Sequence, residues 1–134
     1  ETVSVPLRAV HVVRNPFDTI ASRRKLKESW QAYGIEKYFA NADNVELISE
    51  MLGEEELFRL HYEELVSDTA GVLSDLFAFL GVEAGDEYLA ACDDFVFDSP
   101  KRTRTELEWS DEEIERIERK NRTYDWLEQY SFDS

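Results

Sequence analysis

Apolar residues first gather over residues 7–13, "LRAVHVV", a mostly apolar and β-branched run that ends at Arg-Asn-Pro. That pattern predicts a short strand. A helix start signal follows at once. Asn15 is an N-cap candidate, Pro16 fits the first helical position, and Asp18 sits in the first turn, where it complements the dipole. Phe17, Ile20 and Ala21 form an early apolar stripe, and Leu26, Trp30 and Tyr33 a differently phased one, so the helix bends or ends before Gly34. Residues 36–55 predict another helix, stopped at Gly53 and followed by an acidic "EEE" turn. "LFRLHYEEL" (57–65) opens with alternating apolar residues and reads as a second strand ending near Tyr62. Asp68 or Thr69 caps the next helix, with Val72, Leu73, Leu76, Phe77 and Leu80 at helical period and Gly81 at the terminating position. A short helix is expected over 86–94, a loop over 96–109 around Pro100, and a last helix from Ser110. The capping box Ser110…Glu113 opens that last helix, and Ile114, Ile117, Tyr124 and Leu127 mark one face of it.

Strand–helix–strand–helix order with short apolar strands implies an α/β fold with parallel strands flanked by helices. Two strands alone do not cover the faces and edges of a parallel sheet, so the chain reads as part of a larger α/β fold or as one that borrows strands from a partner. A length of 134 residues with 43% hydrophobic residues supports one domain, 1–134, with a core of its own. No stretch has the length of a membrane span and the first thirty residues lack a secretory pattern, so a cytoplasmic protein without membrane contact is expected. Cys92 is the single cysteine, which fits a reducing compartment, and by composition it is a buried small hydrophobe. With only His11 and His61 beside it, no metal site is expected.

Charge changes the picture. The net charge of −15 argues against nucleic acid and anionic membranes as partners. Ten arginines against five lysines, on so acidic a chain, suggest a salt-loving source; an acidic mesophilic domain is the alternative. Eight of the fifteen cations fall in two short stretches, Arg14, Arg23, Arg24, Lys25 and Lys27, and Lys101, Arg102 and Arg104. If the two converge, they form a positive basin suited to a small polyanion; otherwise they are a basic helix face and a solvated loop.

Ligands of α/β sheets gather beyond the carboxyl ends of strands, which is where Arg14 falls. The N–H groups of the helix beginning near Pro16 point the same way, and Ser22 leans its hydroxyl back toward that end. An arginine fork with a hydroxyl suits a phosphate. The alternative is a surface ion pair and a water-facing serine. His11, inside the strand, reads as a core histidine rather than a base, and the acidic pairs read as turns and helix starts.

"VVRNPFDTIAS" resembles the 3′-phosphate-binding segment of sulfotransferases that use phosphoadenosine phosphosulfate (PAPS), matching at Arg14, Asn15, Pro16, Asp18 and Ser22. "LHYEELVSDTAGVLSDLFAFLGVE" is similar to the next segment of that family, and "SPKRTRTELEW" to its C-terminal basic loop. The resemblance implies a partial three-layer fold like that of the P-loop NTPases. It implies Arg14 and Ser22 as 3′-phosphate ligands and Tyr62 as an adenine contact. At least one of Lys101, Arg102 and Arg104 would reach the phosphate, Arg102 first. For a complete enzyme it implies sulfuryl transfer from PAPS to a hydroxyl or amine of a small-molecule or glycan acceptor. Adenosine bisphosphate (PAP) would leave, and no metal would be required. Nothing in the sequence resembles the family's phosphosulfate-binding loop or its usual catalytic base. The chain is therefore expected to be the C-terminal portion of a sulfotransferase, inactive alone, with no catalytic residue assigned and with an N-terminal half or partner chain required. The alternatives are a degenerate fragment serving in nucleotide binding or assembly, and an acidic helical interaction protein.

Overall fold

β-Branched Val10, Val12 and Val13 extend the chain into β1 (Ala9–Val13), which pairs in parallel with β2 (Leu57–His61) in the register Ala9↔Leu57, His11↔Arg59, Val13↔His61. The computed structural model describes residues 6–96 and 99–134. These fall into two compact units, residues 6–13 with 49–96 and 99–100, and residues 14–48 with 101–134. The elements between and after the strands are α1 (Pro16–Leu26), α2 (Glu28–Met51), α3 (Tyr62–Ser67), α4 (Thr69–Leu80), α5 (Asp86–Phe95) and α6 (Asp111–Asn121). Fold class and parallel pairing are as the sequence predicts. Residues 97 and 98 of the expected loop lie outside the described residues.

In the first unit, strand alternation puts His11, Arg59 and His61 on one face of the sheet and Val10, Val12, Phe58 and Leu60 on the other. Phe58 meets Phe79 of α4 with ring centroids 5.4 Å apart, and the Arg8 guanidinium lies over Phe79. On the opposite face Arg59 Nε donates to His11 Nδ1 at 2.9 Å, and another Arg59 nitrogen donates to Ser49 Oγ at 2.8 Å. The second strand ends one residue earlier than predicted. Tyr62 already begins α3, because Glu63 and Glu64 favour the first turn of a helix. Asp68 caps α4 by accepting from the Gly71 amide at 3.2 Å. Gly81 closes α4 in the left-handed region (φ 72°), where a Cβ would be strained. Cys92 is half-buried instead of buried, and its hydrogen bond with Tyr88 raises that phenol above its ordinary value.

The second unit holds the larger apolar core. Phe17, Ile20, Ala21, Ile35, Phe39, Ile117 and Leu127 are all buried. Phe17 packs edge-on against Trp109 and Phe132, at 5.4 and 5.3 Å. The phase change predicted near Gly34 is a kink in α2 at Tyr33 (φ −124°, ψ 21°). Gly34 follows it in a tight place, where a Cβ would lie 3.3 Å from Arg24 Nε and 3.4 Å from Ile20. The last helix is shorter than predicted. α6 stops at Asn121, and Tyr124, Trp126, Leu127 and Tyr130 are buried from turns that follow it. Side-chain bonds hold those turns: Tyr124 donates to Asp43, Trp126 Nε1 to Glu46 at 2.7 Å, and Asn121 Nδ2 to the Tyr130 carbonyl at 3.2 Å. Burial, and then the Asp43 carboxylate, push the Tyr124 hydroxyl up to about 12.

Two outcomes follow from the first unit. Gly81→Ala should lower stability by about 1–2 kcal/mol, measured by urea unfolding, since it forces a Cβ into the left-handed region. The second concerns His11. Burial first, then Arg59 and His61, lower its pKa from 6.5 to about 4. The unfolded chain therefore binds a proton that the folded chain refuses between those values. The stability His11 contributes is complete above pH 6.5 and is lost as pH falls toward 4. Unfolding free energies at pH 7 and 4.5 should differ less in His11→Gln, whose amide oxygen still accepts from Arg59; an unchanged difference contradicts the assignment.

Candidate functional site

The second unit opens at Arg14 and the start of α1. Asn15 caps the helix: its side-chain oxygen accepts from the Phe17 amide at 3.0 Å, and its carbonyl accepts from the amides of Asp18 and Thr19 at 3.0 and 3.2 Å. Pro16 has no N–H. The early amide donors are thus occupied within the chain, and the expected anion site made of open helix amides does not form here; the dipole and the side chains carry what positive potential exists. Asn15 Nδ2 also donates to the Ser131 carbonyl at 3.0 Å, so the cap is tied to the C-terminal segment.

The two basic stretches of the sequence converge. One Arg14 guanidinium nitrogen donates to the Lys101 carbonyl at 2.8 Å and to Thr103 Oγ1 at 3.1 Å. Both acceptors are neutral, so these two bonds leave the arginine's charge in place. Residues Thr103–Glu106 form a single 3₁₀ turn against α1. Further along the helix, Lys25 Nζ pairs with Glu106 at 2.8 Å and holds that carboxyl below its ordinary range. Asp18, Ser22 and Lys25 are spaced by four and three residues and so share the face of α1 that carries this turn. Ser22 is half-buried on it.

Arg104 has a different occupation from the one expected of a phosphate ligand. Its side chain is 2% exposed, its Nη1 meets Asp18 Oδ2 at 2.6 Å, and its amide donates to Asp18 Oδ1 at 2.9 Å. A second guanidinium nitrogen donates to the Ser134 carbonyl. Arg104 therefore neutralises the first-turn carboxylate and fastens the basic loop to the helix. Trp109 extends the fastening by donating from Nε1 to the Arg104 carbonyl at 2.9 Å. Arg24 stacks over Trp109 at 5.0 Å and pairs with Glu113 at 2.9 Å. Burial raises the Glu113 carboxyl, but bonds from the Ser110 amide and Arg24 outweigh it and leave the group below its ordinary value.

Arg14, Ser22, Lys101, Arg102 and Arg104 thus belong to one unit, with Lys101 and Arg102 exposed on the loop that Arg14 grips. Tyr62 belongs to the other unit, half-buried in the first position of α3. Sequence inspection missed Thr103 as an acceptor for Arg14 and the partnership of Asp18 with Arg104. Asp18 carried a signal, a first-turn acid within a helix of several cations, but its partner lies 86 residues away. Among the described residues, no group of three or more His, Cys, Asp or Glu is arranged to hold a metal ion, and no helix is long and apolar enough to cross a membrane.

Compared with known proteins, a family model described as "Sulfotransferase family" matches residues 7–86. The match takes in Arg14, Ser22 and Tyr62 and leaves the 101–104 loop outside. No curated protein and no solved structure matches.

Truncating one member of a buried ion pair leaves the other charged and desolvated. Arg104→Met should therefore cost about 3–5 kcal/mol in chemical denaturation. The double variant with Asp18→Asn should recover a substantial part of that loss. With Asp18→Asn alone measured beside them, a double-variant loss equal to the sum of the two single losses would show that the pair is not coupled.

Proposed function

The chain belongs to the sulfotransferase family, and on that premise we propose that it holds the 3′-phosphate and adenine side of PAPS during sulfuryl transfer to a hydroxyl or amine acceptor. The observation that carries the proposal is the Arg14 guanidinium fixed on the Lys101 carbonyl and the Thr103 hydroxyl. These bonds set a cation, two residues before the helix that carries Ser22, beside a loop bearing two more, Lys101 and Arg102. The two-stranded parallel sheet flanked by helices fits part of a sulfotransferase fold.

The donor set suits a phosphate dianion. A guanidinium gives directional, charge-assisted bonds, a serine hydroxyl adds a neutral donor, and lysine adds a mobile point charge. Asp18, four residues from both Arg14 and Ser22, is neutralised by Arg104 and so does not repel an anion. Arg14 and Ser22 are assigned as phosphate ligands, Arg102 and Lys101 as cations that close over it, and Arg104 as the residue that positions their loop. Tyr62 is assigned to the adenine from the family's motif. When bound, PAPS supplies the sulfuryl group. No residue of this chain is assigned to the phosphosulfate end or to the general base.

Calorimetric titration with PAP tests this. Arg14→Ala should weaken PAP by about 1.5–3 kcal/mol, the range for a charged hydrogen bond. Adenosine phosphosulfate lacking the 3′-phosphate should bind more weakly and lose nothing on the same substitution. Equal sensitivity of the two nucleotides removes Arg14 from the 3′-phosphate. No heat with PAP favours an interaction module instead.

A further inference from the structure

The chain's acidity is not shared between its two units. Thirteen of the fifteen Lys and Arg lie in residues 14–48 and 101–134, while the thirty Asp and Glu divide equally. The unit of residues 1–13 and 49–100 therefore has Arg8 and Arg59 against fifteen carboxylates, a net charge of −13 against −2 for the other. From residue 60 to residue 100 there is no Lys or Arg.

That same stretch exposes apolar surface. α5 buries none of its side chains, and α4, although rich in Val, Leu and Phe, buries only Thr69. At the α4–α5 turn a cavity of ≈ 350 Å³ is lined by Phe77, Val82, Glu83, Ala84, Gly85 and Tyr88. A neighbouring cavity of ≈ 340 Å³ shares four of those residues, so the two make a shallow groove along the end of α4. Val82 and Tyr88 are 56% and 57% exposed, and Phe77 and Tyr88 face each other with centroids 6.0 Å apart. Glu83 stands in the groove, and Asp86 and Glu87 follow in the first turn of α5.

We propose that the α4–α5 groove is a docking site for a basic amphipathic polypeptide segment, its apolar side chains against Phe77, Val82 and Tyr88 and its cations against Glu83, Asp86 and Glu87. Charge complementarity selects this occupant. A second copy of the chain would bring another unit of net −13 and be repelled at low salt, and an anionic membrane would be repelled likewise. A cationic helix relieves the crowding of carboxylates while covering apolar surface, so its attachment has an electrostatic part that salt screens and an apolar part that salt leaves. The groove belongs to the unit of residues 49–100, and the Arg14 loop to the other unit.

The test is fluorescence anisotropy of the whole chain with a labelled 18-residue peptide of Leu and Lys arranged with one apolar helical face, at 50 and 500 mM KCl. A scrambled peptide of the same composition serves as control. The amphipathic peptide should bind at least tenfold tighter than the scrambled one and weaken on raising salt. Val82→Ser with Tyr88→Ser should weaken it at least tenfold, with circular dichroism unchanged because both residues are exposed. Glu83→Gln with Asp86→Asn and Glu87→Gln should weaken it and flatten the salt dependence. Equal binding of the two peptides, or full affinity in the serine variant, overturns the groove as the site. Self-association in low salt that the serine variant abolishes overturns it in favour of a second copy.

Discussion

A carboxylate and a guanidinium withdrawn from water hold the Arg14 region together. Asp18 occupies the first turn of α1, where an acid is favoured locally, but its burial is bearable only because Arg104 meets it with both side chain and amide. The pair joins points 86 residues apart in the chain and so turns a basic loop into a fixed neighbour of the helix. Arg14 and Thr103 then complete a second clasp on the same loop, and Trp109 a third. Together these links restrict a stretch whose sequence, Lys-Arg-Thr-Arg-Thr, has no hydrophobic reason to settle anywhere.

The pair also bears on the phosphate site proposed for the region. An uncompensated Asp18 would oppose any anion near the helix start. With Asp18 neutralised by Arg104, Arg14, Lys101 and Arg102 remain as cations of that region, within a chain of net −15. A cation cluster on an acidic body is a short-range device: beyond about 8 Å at physiological salt its field is screened. The proposed site would therefore suit a small, multiply charged ligand brought into contact and suit an extended polyanion poorly.

Charge partition gives the acidic composition a location. The unit with the parallel strands has a thin apolar core, chiefly Val13, Leu60 and Val66, and leaves Val10 and Val12 of β1 exposed. Its carboxylates repel one another with only Arg8 and Arg59 to offset them, and both arginines are engaged, on Phe79 and on His11 and Ser49. His11 remains neutral beside Arg59 for the same reason: a second cation there is disfavoured by burial and by its neighbour.

Local physics was legible without coordinates. Caps at Asn15, Asp68 and Ser110, the glycine stop at Gly81 and the break before Gly34 depend on residues a few positions apart, and the structure has them where spacing and chirality require; the parallel pairing of β1 with β2 followed from the order of strands and helices along the chain. The membership of the chain in its family was equally visible, in the motif around Arg14 and Ser22. Long-range pairing of side chains was not. That Arg104 faces Asp18 instead of solvent, that the α1 amides are already occupied, that α6 gives way to turns which bury Tyr124 and Leu127, and that acidity gathers in one unit were decided by the tertiary structure. The reason is physical. A side chain's local preferences are set by its own backbone, whereas its charge, partner and burial are set by whichever distant segment displaces the water around it.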